Sequence, residues 1–286
     1  MGFAEAVGLG AIAGFTIFLG LPVGRVPRVD DRARVALAMF SVGILAFIFM
    51  DVTNHAQQVL ADAVSSFKDH RSGFGHLLGL FGLLAAGFTA GTAGISAIER
   101  RLRRRRAALP PIAGGEAGAA LAPRPRALDL DAEAQRRRAL QTGMTIAVAI
   151  GLHNFAEGLA IGVSAKTGAI GLATVLIVGF GLHNATEGFG IVGPLGGVRP
   201  SWAWLGLAGL IGGGPTFVGT IVGYQVHSDP LELAFYALAG GAILYVVGEV
   251  WTATRRYGYR TLGLYLLAAG FIAGVATDLI VSYGGA

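Results

Sequence analysis

The stretch GLHNFAEGLAIGV, from Gly151 to Val163, returns thirty residues later as GLHNATEGFGIVG, from Gly181 to Gly193. The two copies are identical at seven positions, and each contains His-Asn-x-x-Glu-Gly within apolar sequence. On a helix, the His and the Glu of each copy lie four residues apart and share one face, with the Asn beside them. Two such helices side by side could turn these faces toward each other. The repeat therefore predicts a helical fold with a polar site between two helices.

The composition places these helices in a membrane. The 286 residues are 53% hydrophobic and 14% charged, with 46 glycines, and the mean hydropathy is +0.63. Soluble domains contain about 25% charged residues, whereas membrane-spanning helices need about 20 apolar residues each and use glycine for close packing. The chain has no cysteine, so the sequence offers neither disulfides nor thiolate metal ligands.

Hydropathy predicts an all-α bundle of eight membrane-spanning helices. The predicted spans are 2–22, 33–55, 73–98, 139–165, 168–193, 202–224, 231–253 and 261–283. Residues 99–138 are rich in Arg, Pro, Gly and Ala, and we predict a disordered cytoplasmic linker there, with Leu128–Arg138 as a short amphipathic lead-in to the fourth helix. The linker separates three helices in 1–98 from five helices in 139–286.

The positive charges predict the orientation of the helices. If the N-terminus is outside, 19 of the 22 Lys and Arg residues fall on the inner side, and only Lys68, Arg71 and Lys166 fall outside. This distribution favours eight spans with both termini outside. It also explains the net charge of +5 without a nucleic-acid partner. Since no basic residue precedes Arg25, the first helix is predicted to be retained rather than cleaved as a signal peptide.

Both copies of the repeated motif are predicted near the middle of the membrane. A short turn near Thr167–Gly168 makes the fourth and fifth helices antiparallel neighbours, and His153 and His183 each lie about 20 Å from a helix end at 1.5 Å per residue. An ionisable group at that depth costs at least about 2.5–3.5 kcal/mol, so a duplicated His/Glu pair indicates a functional site. The alternative is that these residues only hydrogen-bond two helices together.

The side chains of the repeat suit a divalent cation. Imidazole nitrogens and carboxylate oxygens bind zinc and other first-row divalent metals, and an Asn carbonyl oxygen can join them. Two carboxylates also neutralise a dication. Gly158 and Gly188, directly after the glutamates, would admit either another helix or the hydration shell of an ion. The predicted metal ligands of the repeat are His153, Asn154, Glu157, His183, Asn184 and Glu187.

Four residues outside the repeat are further candidates. Glu249, in the seventh span, could add a carboxylate to the same site or could be a protonated side chain that bonds a neighbouring helix. Asp278, near the outer end of the eighth span, is either a pathway ligand or an interfacial residue reached by water. Asp51 and His55 share a helix face near the outer end of the second span, where they could form an entrance for cations or a solvated surface pair.

These motifs and their order resemble the Zrt/Irt-like (ZIP) family of divalent metal transporters over nearly the whole chain. That family has eight membrane-spanning helices, both termini outside, a long cytoplasmic loop after the third helix, and His-Asn-x-Pro-Glu-Gly on the fourth. Glu249 and Asp278 are similar to acidic residues of its seventh and eighth helices. The resemblance implies one metal position formed by His153, Glu157, His183 and Glu187. It implies a second formed by Asn154, Asn184, Glu187 and Glu249, with Glu187 bridging the two.

The chain departs from the family pattern at several positions. Ala156 and Thr186 stand where the two motifs of the family have proline, so both helices are expected to be straighter and to expose fewer backbone carbonyls. Asn184 stands where aspartate is frequent, which makes the second metal position less acidic. Gly248 stands where a polar or His neighbour sometimes precedes the glutamate, and the inner loop has no histidine to sense metal.

The predicted function is transport of divalent metal cations into the cytoplasm by alternating access, with Zn²⁺ favoured and Cd²⁺, Fe²⁺ or Mn²⁺ as further substrates. One or two ions would bind as substrate, and no cofactor is expected. The protein would lie in the lipid bilayer of the cell inner membrane, as a homodimer or alone. The alternative is an intramembrane metal-dependent hydrolase, with Glu157 or Glu187 as the base that activates water. No His-Glu-x-x-His motif supports that alternative.

Overall fold

The computed structural model describes residues 2–26, 30–98, 100–101, 127–167, 181, 184–225 and 228–284. All regular elements in these ranges are helices, which confirms the predicted all-α class for this part of the chain. Seven helices of the described part are long and apolar enough to cross a membrane, as expected of a multi-pass membrane protein. The predicted fifth span, 168–193, is described only at 181 and from 184 onward, where 184–192 are helical.

We number the helices in chain order. They are α1 (Phe3–Arg25), α2 (Asp31–Lys68), α3 (Phe74–Ile98), α4 (Ala127–Thr167), α5 (184–192), α6 (Trp202–Gln225), α7 (Asp229–Arg255) and α8 (Arg260–Gly284). The last turns of α1, Leu21–Arg25, are 3₁₀-helical, and α3 contains a π-helical segment, Ala90–Gly94.

Helix α2 continues well beyond its predicted end at residue 55. Its 38 residues make it about 57 Å long, whereas the hydrocarbon core of a bilayer is about 30 Å thick. The extension has no Gly or Pro to stop it and is amphipathic, with Ala56 and Ala63 buried against Leu80 of α3 and Leu233 of α7. Packing on neighbouring helices therefore prolongs α2 after its apolar sequence has ended.

Helix α4 begins at Ala127, twelve residues before its predicted start at 139. The helix includes the lead-in predicted over Leu128–Arg138, and the bounds of the linker stay a prediction. The lead-in is rich in Ala, Leu, Glu and Arg, which are strong helix formers, and Glu133 pairs with Arg137 one turn later at 3.4 Å. Residues 100 and 101, at the start of the predicted linker, are helical. Residues 102–126 of the linker, with their predicted disorder, and the predicted turn at 168 lie outside the described residues.

The helices pack in two groups. Helix α6 packs along both α4 and α1, while α2 packs along α7 and α8, and α3 packs along α7. Contacts between α4 and α7 join the two groups. The repeated motif of α4 therefore lies in one group, close to the helix that connects it with the other.

Glycines bring α4 and α6 into backbone contact. Gly158 and Gly162 of α4 lie against α6, and Gly219 and Gly223 of α6 lie against α4. The two glycines of each helix are four residues apart. A Cβ atom at any of them would collide with a backbone carbonyl group of the other helix. Gly188, the second motif glycine, lies in the same way against the backbone of α1 at Ile17. The motif glycines therefore admit neighbouring helices, which was one of the two roles considered from the sequence.

Candidate metal centre

The described polar residues of the repeat lie in the interior of the bundle. His153, Asn154, Asn184 and Glu187 are fully buried, and Glu157 is 7% exposed. They project from α4 and α5 between apolar core residues such as Ile150 and Ile191. His183, the remaining predicted ligand of the repeat, lies outside the described residues.

Side chains of the two motif copies contact each other directly. His153 Nε2 lies 2.8 Å from Glu157 Oε1 on its own helix and 3.8 Å from Glu187 Oε1 on α5. Asn154 Nδ2 donates a hydrogen bond of 3.0 Å to Glu187 Oε2. The fold thus brings one histidine, one asparagine and two carboxylates from segments about thirty residues apart to one buried point.

These distances differ from those around a bound ion. No three His, Asp or Glu side chains in the described part of the chain are arranged to hold a metal. Two ligands of a tetrahedral zinc at about 2.0–2.2 Å stand about 3.3–3.5 Å apart, so an ion would separate His153 from Glu157 and draw His153 and Glu187 together. Each change is about half an ångström, which side-chain rotation alone can supply.

The two asparagines of the repeat have buried side-chain carbonyl oxygens. Asn154 Nδ2 also donates to the Gly212 carbonyl of α6 at 3.0 Å, and Asn184 Nδ2 donates to the Ala13 carbonyl of α1 at 2.9 Å. These bonds fix the amide orientation, so each Oδ1 points away from its carbonyl partner. Neither Oδ1 has a hydrogen-bond partner among the described residues. A buried acceptor without a hydrogen bond destabilises the folded protein by about 1–3 kcal/mol. A bound cation, or a water molecule bound to it, would remove this cost.

Helix α6 contributes to the site in a way that we did not predict. Pro215 has no N–H and leaves the Ile211 carbonyl without its helical donor, and Gly151 of α4 packs directly on that carbonyl. The next carbonyl, Gly212, accepts from Asn154. Thr216 is fully buried, and its hydroxyl has no hydrogen-bond partner among the described residues. A proline inside an apolar span, followed by threonines at 216 and 220, is the sequence signal that could have identified α6.

Glu249 lies on α7, the helix that packs against α4. Its side chain is half-buried, between Val246 and Val250, both of which are fully buried. The role of Glu249 as a metal ligand stays a prediction.

The outer candidates lie near one another and near the repeat. Asp51 Oδ1 is 3.6 Å from His55 Nδ1, and both side chains are partly exposed. The His55 ring packs against Tyr236 of α7 with 5.5 Å between the ring centroids. Asp51 interacts electrostatically with Asp278 of α8 and also with the repeat, through Glu157 and His153. The partly exposed Asp51, in the middle of α2, is therefore close enough to the buried site to interact with its charges.

Comparison with known proteins tests the resemblance drawn from the motifs. Residues 120–248 match the model of a family described as ZIP zinc transporter. This part of the chain is similar to the ZIP family. It includes both copies of the repeat and ends one residue before Glu249. The resemblance drawn from His-Asn-x-x-Glu-Gly is therefore confirmed.

A curated zinc transporter is similar over about half of the chain. The zinc transporter ZupT of Clostridium perfringens (strain 13 / Type A) is 33% identical over 159 residues. The match covers 52% of this chain and 54% of that protein, so the chain spans about half the length of the relative it matches.

Proposed function

We propose that this chain carries divalent metal cations across the cell membrane into the cytoplasm, with Zn²⁺ as the favoured substrate. The observation that carries the proposal is the contact between the two motif copies, in which His153 lies between the carboxylates of Glu157 and Glu187. Such groups are seldom buried in a membrane without a function. The similarity to a zinc transporter supports the substrate class.

The ligand set suits an ion that binds and leaves. The first proposed position would use His153 and Glu157 of α4 together with His183 and Glu187 of the fifth span. In the second, Glu187 is shared with Asn154, Asn184 and Glu249. Two carboxylates compensate the charge of a dication, while the neutral oxygens of the asparagines hold it weakly enough for release.

The arrangement of the helices suits alternating access. The described part of the repeat belongs to α4 and α5, and α4 packs in the group of α1 and α6. Movement of this group against α2, α3, α7 and α8 would open the site first to one side and then to the other. Asp51, His55 and Asp278 would attract cations at the outer entrance, since acidic groups raise the local cation concentration.

Uptake into proteoliposomes tests the proposed function. Purified protein should give saturable Zn²⁺ uptake, and Cd²⁺, Mn²⁺ and Fe²⁺ in turn should compete with it. Uptake that rises linearly with Zn²⁺ concentration would indicate a channel. Hydrolysis of a substrate by a protein that retains a fixed metal would indicate the enzymatic alternative.

The Asp51→Asn variant should transport normally at saturating Zn²⁺ but several-fold more slowly at low Zn²⁺. The substitution removes a charge that attracts the ion to the entrance and leaves the buried site intact. Uptake measured over a range of Zn²⁺ concentrations checks this. Asp62→Asn, an exposed position on the same helix, is the matched control and should behave like the natural sequence. An equal effect of the two substitutions would contradict the entrance role of Asp51.

The topology can be tested by cysteine labelling, because the natural chain has no cysteine. With eight spans and both termini outside, Ser72→Cys and Ser228→Cys should react with an impermeant thiol reagent on intact cells. Ala113→Cys should react only after the cells are opened. Labelling of Ala113→Cys from outside would reverse the orientation proposed for the arginine-rich segment.

A further inference from the structure

A polar cavity lies at the N-terminal end of α2. It has a volume of about 340 Å³ and is enclosed by the start of α2, the end of α7 and the start of α8. Arg255 and Arg260 stand at its rim, while Val35 and Met39 form an apolar wall. None of the proposed metal ligands lines the cavity, so transport as proposed does not use it.

The two arginines of this cavity have no anionic partner among the residues that the structure describes. Neighbouring arginines are engaged, since Arg256 donates to the Pro194 carbonyl at 3.1 Å and Arg25 donates to the Pro200 carbonyl. Within the described residues, the guanidinium groups of Arg255 and Arg260 make no hydrogen bond or ion pair, and no acidic residue lines the cavity. Two guanidinium groups around one open space form a fork for an anion, and phosphate oxygens match their geometry.

The remaining lining indicates which kind of anion fits. Trp251 and Tyr259 line the cavity beside the arginines, and Tyr259 is 43% exposed. Trp and Tyr are enriched at the level of the lipid headgroups, and the cavity lies where the apolar spans α7 and α8 meet. Its apolar wall would contact acyl chain, which a free phosphate ion does not have. Basic pockets between membrane helices bind the headgroups of anionic lipids.

We propose that the cavity of Arg255 and Arg260 binds an anionic phospholipid, with the phosphate between the two guanidinium groups and the start of an acyl chain against Val35 and Met39. The lipid would join α2, α7 and α8 at one end of their helix group. This inference does not depend on metal transport, and failure of either proposal leaves the other standing.

Native mass spectrometry of the purified protein, titrated with phosphatidylglycerol, tests the proposal. Near a membrane surface each arginine strengthens the binding of anionic lipid, and the removal of one arginine should lower the affinity about fivefold. We therefore expect Arg260→Gln to bind the lipid about fivefold more weakly and Arg255→Gln/Arg260→Gln about 25-fold more weakly. Both arginines are exposed, and the single variant supplies the test if the double variant does not fold.

The control removes the same charge elsewhere. Arg136→Gln/Arg138→Gln, at exposed positions on α4, should bind phosphatidylglycerol like the natural sequence. The natural sequence should bind phosphatidylcholine no more tightly than the cavity variants do. Inorganic phosphate should not displace bound phosphatidylglycerol. The proposal is overturned if the two double variants lose affinity equally, if Arg260→Gln changes nothing, or if inorganic phosphate displaces phosphatidylglycerol.

Discussion

Glu157→Gln and Glu187→Gln should each lower Zn²⁺ uptake by at least about 100-fold, because each removes a charged ligand from a buried site where even indirect changes cost 10–100-fold in metal affinity. The substitutions keep the size and shape of the side chain. Glu187→Gln should have the larger effect, since Glu187 contacts both His153 and Asn154 of the other motif copy. Uptake into proteoliposomes, normalised to the amount of inserted protein, measures both.

Two further glutamates serve as controls for this experiment. Glu133→Gln, on the exposed lead-in of α4, should leave uptake unchanged. Glu249→Gln should have a milder effect than Glu157→Gln if the second metal position is accessory. Uptake at the natural rate by both motif variants would show that the repeat is not the transport site, whereas a loss at Glu249 as severe as at Glu157 would show that the two positions act as a unit.

Gly219→Ala should destabilise the protein by about 2–3 kcal/mol, which is typical of inserting an atom where there is no room. The new Cβ would lie against the backbone carbonyl of Phe155 on α4, and a backbone atom cannot move aside as a flexible side chain can. Because Phe155 is within the repeat, separation of α4 from α6 should also weaken the hydrogen bond from Asn154 to Gly212. Thermal unfolding in detergent, followed by tryptophan fluorescence, measures the loss.

The matched control for this substitution lies on the same helix. Gly206 has open space where its Cβ would be, so Gly206→Ala should leave stability unchanged or raise it by up to about 1 kcal/mol through helix propensity. Equal melting temperatures for Gly206→Ala and Gly219→Ala would show that the α4–α6 crossing does not depend on glycine contact.

Properties that depend on local periodicity could be predicted from the sequence. Hydropathy placed the spans near 202–224 and 231–253 within two residues of α6 and α7, because membrane helices are defined by apolar length. The four-residue spacing of His153 and Glu157 fixed their shared face, and they lie 2.8 Å apart. The similarity of this chain to the ZIP family was also predicted from this motif.

Properties that depend on contacts between distant segments could not be predicted in the same way. The extension of α2 to Lys68 is stabilised by packing of Ala63 on other helices, which hydropathy does not register. The bond from Asn154 to the Gly212 carbonyl depends on how α6 crosses α4. The spacing of Gly219 and Gly223 indicates that another helix crosses α6 closely, but it does not show which helix this is.

X-ray absorption at the zinc edge of the purified, zinc-loaded protein tests most directly whether the repeated motif holds the metal. We expect a shell of nitrogen and oxygen at about 2.0–2.2 Å with imidazole scattering from His153 and His183, and that imidazole scattering should weaken in His153→Ala. A shell of oxygen alone, or a spectrum that His153→Ala leaves unchanged, would contradict the account.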